Sequence, residues 1–280
     1  MDVMHRPDPA DNSAPSRVLV AGDWHGNRYW ALNVIHRVPQ LLSDEHRRLI
    51  LHLGDFGIWP DDEGRRYLAA VSTALGQVNA ELWFIDGNHE DFTQLAQMAD
   101  SAGPDGRVPV RPHIYHLPRG HRWDWHSRRW LACGGGVSLD TAMRRYRHDW
   151  WPQEEITSEQ EATIIDGGAA DVMVCHDCPA AVHHVFPPPP SEWSPADLAR
   201  NDAHRARLQR IVDAVRPAHV MHGHLHRAYQ RTCDFGYRPV HVTGLGSDGS
   251  VRNFAVLDVT NMEWMLRRPR ALAFLSRRER

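Results

Sequence analysis

Eight side chains of ligand or acid–base type stand directly at the ends of short apolar runs. Asp23 and His25 follow residues 18–21 and Gly22 in RVLVAGDWHGN. Asp55 follows Gly54 in RLILHLGDFG, and Asn88 and His89 follow Gly87 in ELWFIDGNHE. His176 closes the run in DVMVCHDCP, and His224 and His226 follow Gly223 in AHVMHGHLH. Residues two apart, such as Asp23 with His25 and His224 with His226, point the same way from an extended stretch. Carboxylates, imidazoles and one amide oxygen form a mixed N/O donor set. Such a set suits Mn, Fe or Zn better than Ca, and it lacks the thiolates of a structural zinc site. Seven ligands are too many for one ion. Two ions about 3.5–4 Å apart, bridged by one carboxylate, use them all. Each polar end would be costly to bury without a partner, so one shared cation site explains them better than five separate local arrangements.

Strands and helices must carry these residues to one place. The runs above, with RWLACGGG between the third and fourth, have the length and β-branched content of strands. PVHVTGLGS and NFAVLDV extend the series near the C-terminus. YWALNVIHRVPQLL, EGRRYLAAVSTALGQV and DLARNDAHRARLQRIVDAV have apolar residues three and four apart, the spacing of helices. Alternating strands and helices indicate a layered α/β fold, in which ligands bind at the carboxyl ends of the strands. Two stretches break the rhythm and form inserts on that side, residues 138–166 and the Pro-rich residues 179–196. The first carries Arg144, Arg145 and Arg147 beside Tyr146, Trp150 and Trp151. Arginine next to aromatics suits a nucleotide, with a phosphate clamp and a stacking face. The alternative is a lid that packs its tryptophans and exposes its arginines. Trp24, between the first two ligands, either stacks on a base or packs beside the site. CGGG, followed by Ser138 and Asp140, reads as a tight turn next to it.

Composition bounds the rest. The 280 residues, 42% hydrophobic, suit one large globular domain with inserts. The expected division is an N-terminal arm over residues 1–16, a domain over 17–260 and a basic tail over 261–280. No apolar run reaches membrane-spanning length, and the polar N-terminus lacks a signal-peptide core, so a cytoplasmic protein without membrane contact is expected. A net charge of −3 gives no global pull toward nucleic acid, although all 32 fixed cations are arginine. Four cysteines are too few for a disulfide framework in a chain this long, and Cys175-x-x-Cys178 has no second pair with which to form a zinc finger.

The ordered set GDWHGN, GDFG, GNHE, the strand-end histidine of VCHDCP, and GHLH resembles the calcineurin-like metallophosphoesterases over residues 17–257. The resemblance implies a four-layer α/β/β/α sandwich with a dinuclear metal centre. One ion would be held by Asp23, His25, Asp55 and His226. The other would be held by Asp55, Asn88, His176 and His224. Asp55 would bridge, and His89 would stand beside the ions as the catalytic acid in its imidazolium form. Asp177, directly after His176, is either a supporting group behind the ligands or an ordinary turn aspartate. The sequence departs from the protein phosphatases of that superfamily: GDFGIWPDDEGRRY lacks the Asp-Arg pair that helps bind phosphate there.

The expected function is hydrolysis of phosphate esters by metal-bound hydroxide, with Mn favoured over Fe or Zn and a phosphodiester or nucleotide as substrate. Arg144, Arg145, Arg147 and Trp24 are the candidate substrate contacts. The alternatives are a phosphomonoesterase or protein phosphatase, or a catalytically silent scaffold that holds metal. A nucleic-acid-binding module is disfavoured by the slightly acidic charge.

Overall fold

In strand β1 (Arg17–Ala21), Val18 and Val20 pack into one apolar core and Leu19 and Ala21 into another. Successive strand residues point to opposite faces, so a strand apolar at every position is covered on both sides. The same division runs through the molecule, here a computed structural model that describes residues 14–183, 193–250 and 252–265. The further strands are β2 (Arg48–His52), β3 (Ala80–Phe84), β4 (Val108–Arg111), β5 (Ile114–His116), β6 (Arg122–Trp125) and β7 (Arg128–Cys133). They continue with β8 (Val172–Cys175), β9 (His219–His222), β10 (Tyr229–Asp234), β11 (Pro239–Gly244), β12 (Phe254–Asp258) and β13 (Glu263–Met265). The helices are α1 (Arg28–Ile35), α2 (Val38–Leu41), α3 (Asp62–Gln77), α4 (Phe92–Met98), α5 (Ser158–Asp166), α6 (Ala180–His183) and α7 (Pro195–Val215).

The strands form a seven-stranded sheet, β13-β12-β1-β2-β3-β5-β4, and a six-stranded sheet, β10-β11-β9-β8-β7-β6. Three cores separate four layers. One lies between the first sheet and helices α1 and α3, one between the two sheets, and one between the second sheet and α5 and α7. This is the expected α/β/β/α sandwich. Strands β1, β2, β3 and β5 run parallel, as do β7, β8, β9 and β11. The pairs Ala21↔His52 and His52↔Phe84 end the first three strands level with one another. Val174↔Met221 does the same in the second sheet.

Local chemistry sets the helix limits. Asn27, Asp61 and Asp91 accept backbone N–H groups at the starts of α1, α3 and α4, and Thr157 with Gln160 forms a capping box on α5. The apolar periodicity of residues 29–42 reads as one helix, but the chain forms two. Pro39 has no N–H to bond back to Ile35, which ends α1 before α2 begins. Residues 263–265, placed by the sequence in a basic tail, form β13 against β12. The rest of that tail (266–280), most of the expected arm (1–13) and residues 184–192 of the Pro-rich insert lie outside the described residues. No described helix is long and apolar enough to cross a membrane.

Candidate metal centre

The loops after β1, β2, β3, β8 and β9 meet at one end of the sandwich. Backbone bonds lock them in pairs. Asp23 N donates to Gly54 O at 3.0 Å, His25 N to Asp55 O at 2.8 Å, and Gly223 N to His176 O at 3.0 Å. Five of the seven expected ligands have left-handed backbones: Asp23 (φ 53°), His25 (46°), Asp55 (52°), His224 (60°) and His226 (53°). Non-glycine residues adopt that region at a cost on the order of 1 kcal/mol each, and such strain concentrates at functional sites. The glycines have a different reason. A Cβ on Gly223 would sit 2.3 Å from Asp23 Oδ2, and one on Gly87 would sit 2.1 Å from Asp55 Oδ1. The carboxylates occupy the space those side chains would need.

The side chains converge in three overlapping groups, each with its ligand atoms within 4.8 Å of one another: Asp23–His25–His226, His25–Asp55–His89 and Asp55–His176–His224. Asn88 joins them through Oδ1, 3.1 Å from His176 Nε2. All seven residues expected as ligands, and His89, are therefore brought together. Asp55 is common to two groups.

The donor set fits a cation. His176 Nδ1 donates to Leu53 O at 2.8 Å, so in a neutral ring Nε2 is a bare acceptor. It faces two further acceptors, Asn88 Oδ1 at 3.1 Å and Asp55 Oδ1 at 3.3 Å. The Asn88 amide cannot relieve this by turning over, because its Nδ2 is used in a 3.1 Å bond to Ser138 Oγ. His25 repeats the pattern, with Nδ1 on Asp248 Oδ1 and Nε2 on Asp55 Oδ2, both at 3.3 Å. Asp23 Oδ2 is buried with no hydrogen-bond partner. Such a cluster needs a proton or a metal between its acceptors. Protonation equilibria reflect this. Burial pushes Asp23 up to about 7, although His176 pulls against it. Burial disfavours a charged His176, but Asp55 outweighs it and raises the ring to about 10. Asp55 itself is buried, yet His176 and His89 hold it well below the carboxylate range.

His89 behaves differently. Burial lowers its pKa to about 4, and the Arg144 guanidinium adds to the effect against the pull of Asp55. Burial and Arg144 thus work against the imidazolium expected from the sequence, and a neutral ring still offers one N–H.

Several supporting residues were not foreseen. Asp248, on the loop after β11, accepts from His25 and, at 2.7 Å, from Asn27 Nδ2. Glu154 accepts from Ser138 N and Oγ at 2.8 and 2.7 Å and so fixes the Asn88 amide through Ser138. Glu90 accepts from the amides of Phe56, Gly57 and Ile58 at 2.7, 3.2 and 2.7 Å and shapes the loop that carries Asp55. Asp248 had a signal, since GLGSD is one more apolar run ending in glycine and a carboxylate. Glu154 had none, because it lies in an irregular insert. Asp177 does not orient His176; it pairs with Arg205 Nε at 3.1 Å.

Of the expected substrate contacts, Arg144 lies against His89. The Arg145 side chain is 73% exposed, and Arg147 lies 5.4 Å from the Tyr146 ring. Trp24 is 0% exposed and donates to Asn253 Oδ1, so it packs beside the site with no face open to a base. The first insert places its Trp151 indole on Thr93 Oγ1 at 3.0 Å and closes along α4.

A family model described as calcineurin-like phosphoesterase matches residues 16–228. No curated protein matches the chain. Among solved structures, the protein TT1561 of Thermus thermophilus superposes with a TM-score of 0.54 at 12% identity, over 89% of this chain and 97% of that one. A conserved protein of Streptococcus pneumoniae, described as a predicted phosphoesterase, aligns over 87% of this chain and 83% of its own, with 12% identity and a TM-score of 0.33.

Proposed function

The chain belongs to the calcineurin-like phosphoesterases, and from that membership we propose that it hydrolyses phosphodiesters or nucleotides at a centre of two divalent ions, with manganese favoured. Metal-dependent phosphate-ester hydrolysis is the family's chemistry. The observation that carries the reading here is the set of buried acceptors facing one another around His176, Asn88 and Asp55. Asp23, His25, Asp55 and His226 would hold one ion, and Asp55, Asn88, His176 and His224 the other, with Asp55 shared. Ions bound there would acidify a water and neutralise charge on the phosphate.

The chain's own groups do the remaining work. Asp248 and Leu53 O fix the tautomers of His25 and His176, so that each presents a lone pair to the cluster. Ser138 and Glu154 turn the Asn88 oxygen toward it. His89, 4.0 Å from Asp55 Oδ2, is placed to offer a ring N–H to the phosphate under attack.

The test is hydrolysis of an aryl phosphodiester and the matching monoester by chelator-stripped protein with and without manganese. Manganese-dependent turnover that favours the diester, and falls about 10²-fold in His89→Ala, is the expected result. A preference for the monoester would make the protein a phosphatase. Two tightly bound metals without turnover of either ester, whether Mn, Fe, Zn or Ni is supplied, would point to a non-catalytic scaffold.

A further inference from the structure

Arg144 reaches the edge of the metal cluster from the first insert. Its guanidinium is anchored on one side by Asp140, with Nε on Oδ1 at 2.6 Å and Nη2 on Oδ2 at 2.8 Å, and by Nη1 on Asp149 O at 3.1 Å. On the other side it meets both nitrogens of His89. Nη1 is 2.8 Å from Nδ1, and Nη2 is 3.3 Å from Nε2. An arginine has only donors, and a neutral imidazole has one acceptor nitrogen and one N–H. The ring carries at least one N–H in any protonation state and tautomer, so at least one of the two contacts sets a donor against a donor. With Nδ1 as the acceptor of the shorter contact, Nη2 and Nε2 are the donor pair. His89 shares its cluster with His25 and Asp55, so this pair of donors borders the place where the substrate reacts.

We propose that Arg144 and His89 form a two-donor notch for a non-bridging oxygen of the substrate phosphate, an inference that rests on the phosphoesterase reading above. Two N–H groups 3.3 Å apart repel with nothing between them and both bond an anionic oxygen placed at their mouth. The bidentate hold of Asp140 keeps the guanidinium in plane without neutralising the donor that faces His89. The insert carries three arginines, and its fold sends one of them inward. Arg144 is thereby a substrate-binding residue, and Asp140 positions it. The notch recognises a tetrahedral oxyanion and is indifferent to the group esterified beyond it.

The experiment uses the full chain loaded with manganese and inorganic phosphate as the probe. It measures bound metal, the phosphate dissociation constant by calorimetry, and KM and kcat on the better aryl ester. Arg144→Ala and the more conservative Arg144→Gln should keep the wild-type metal content. They should raise the phosphate dissociation constant by about 10- to 100-fold, the usual loss for a hydrogen bond to a charged group, and kcat/KM should fall to match. Asp140→Asn should weaken phosphate binding by less. Variants that keep their metal and bind phosphate within about twofold of wild type would overturn the notch, with the phosphoesterase reading left standing. Loss of metal in Arg144→Gln would also overturn it, because Arg144 would then serve the metal site. A metal-loaded wild type that neither binds phosphate nor turns over either ester would remove the phosphoesterase reading and the notch together.

Discussion

Asp248 supports the cluster through the side chain of His25. It accepts from His25 Nδ1 and Asn27 Nδ2, which leaves the His25 Nε2 lone pair facing Asp55. Groups that orient a metal-binding imidazole in this way are typically worth 10- to 100-fold in affinity. Asp248→Asn should therefore weaken manganese binding by about that factor, as read by competition with a chelator, with little change in thermal stability. Unchanged affinity would mean that His25 is held in place by packing alone. Gly223 tests the cluster from the backbone side. Its φ is ordinary, but a methyl group there would meet Asp23 Oδ2 at 2.3 Å and Asp23 Cγ at 3.0 Å. Gly223→Ala should displace that carboxylate. The variant is expected to lose metal while its far-UV circular dichroism stays native; full metal occupancy would show that Asp23 is dispensable.

Helix α7 carries an acid-sensitive group away from the ligands. His204 is buried, neither ring nitrogen has a hydrogen-bond partner, and burial lowers its pKa to about 4. Asp177 pulls the pKa up, and Arg119, Arg205 and Arg207 push it down. A histidine whose folded pKa lies below its unfolded value adds stability above the unfolded value, near 6.5. That stability drains away as pH falls toward 4, because the unfolded chain binds the proton first. At roughly 1.4 kcal/mol per pKa unit, His204 alone should cost roughly 3 kcal/mol over that range. Urea unfolding at neutral pH and at about pH 4.5 should show His204→Leu losing roughly 2–3 kcal/mol less than wild type. Equal losses would show that His204 finds a proton-binding partner in the fold. The elements differ in how readily the sequence reveals them. β1, β2, β3, β8 and β9 carry apolar residues at consecutive positions because both faces are covered, and their ends name the site. β10, YQRTCD, lies at a sheet edge and is largely exposed, so no apolar run marks it. The same limit hid Glu154: it is buried by tertiary packing of an insert whose local sequence is polar.

The two sheets share their central core along its length, and at the site end direct bonds join them as well. His176 Nδ1 to Leu53 O and His224 N to Asp23 Oδ1, at 2.8 and 2.9 Å, cross from one to the other. The expected ligands divide between the sheets in the same way. Asp23, His25, Asp55 and Asn88 come from the first, and His176, His224 and His226 from the second. Ions in the cluster would therefore cross-link the two layers at the site end, and they would take the place of the protons that the facing acceptors must otherwise hold. Metal binding then becomes folding stability. At a free concentration about 1,000 times the dissociation constant it contributes about 4 kcal/mol. A domain of this size moves its Tm by roughly 2–4 °C for each of those. Stripping metal with a chelator should thus lower Tm by about 10 °C, with recovery on adding manganese. Asp55→Asn, which removes the shared carboxylate, should melt at nearly the same temperature with and without metal. A wild-type Tm indifferent to chelation would mean that the acceptors are bridged by protons alone, and the two-ion centre would fall with that result.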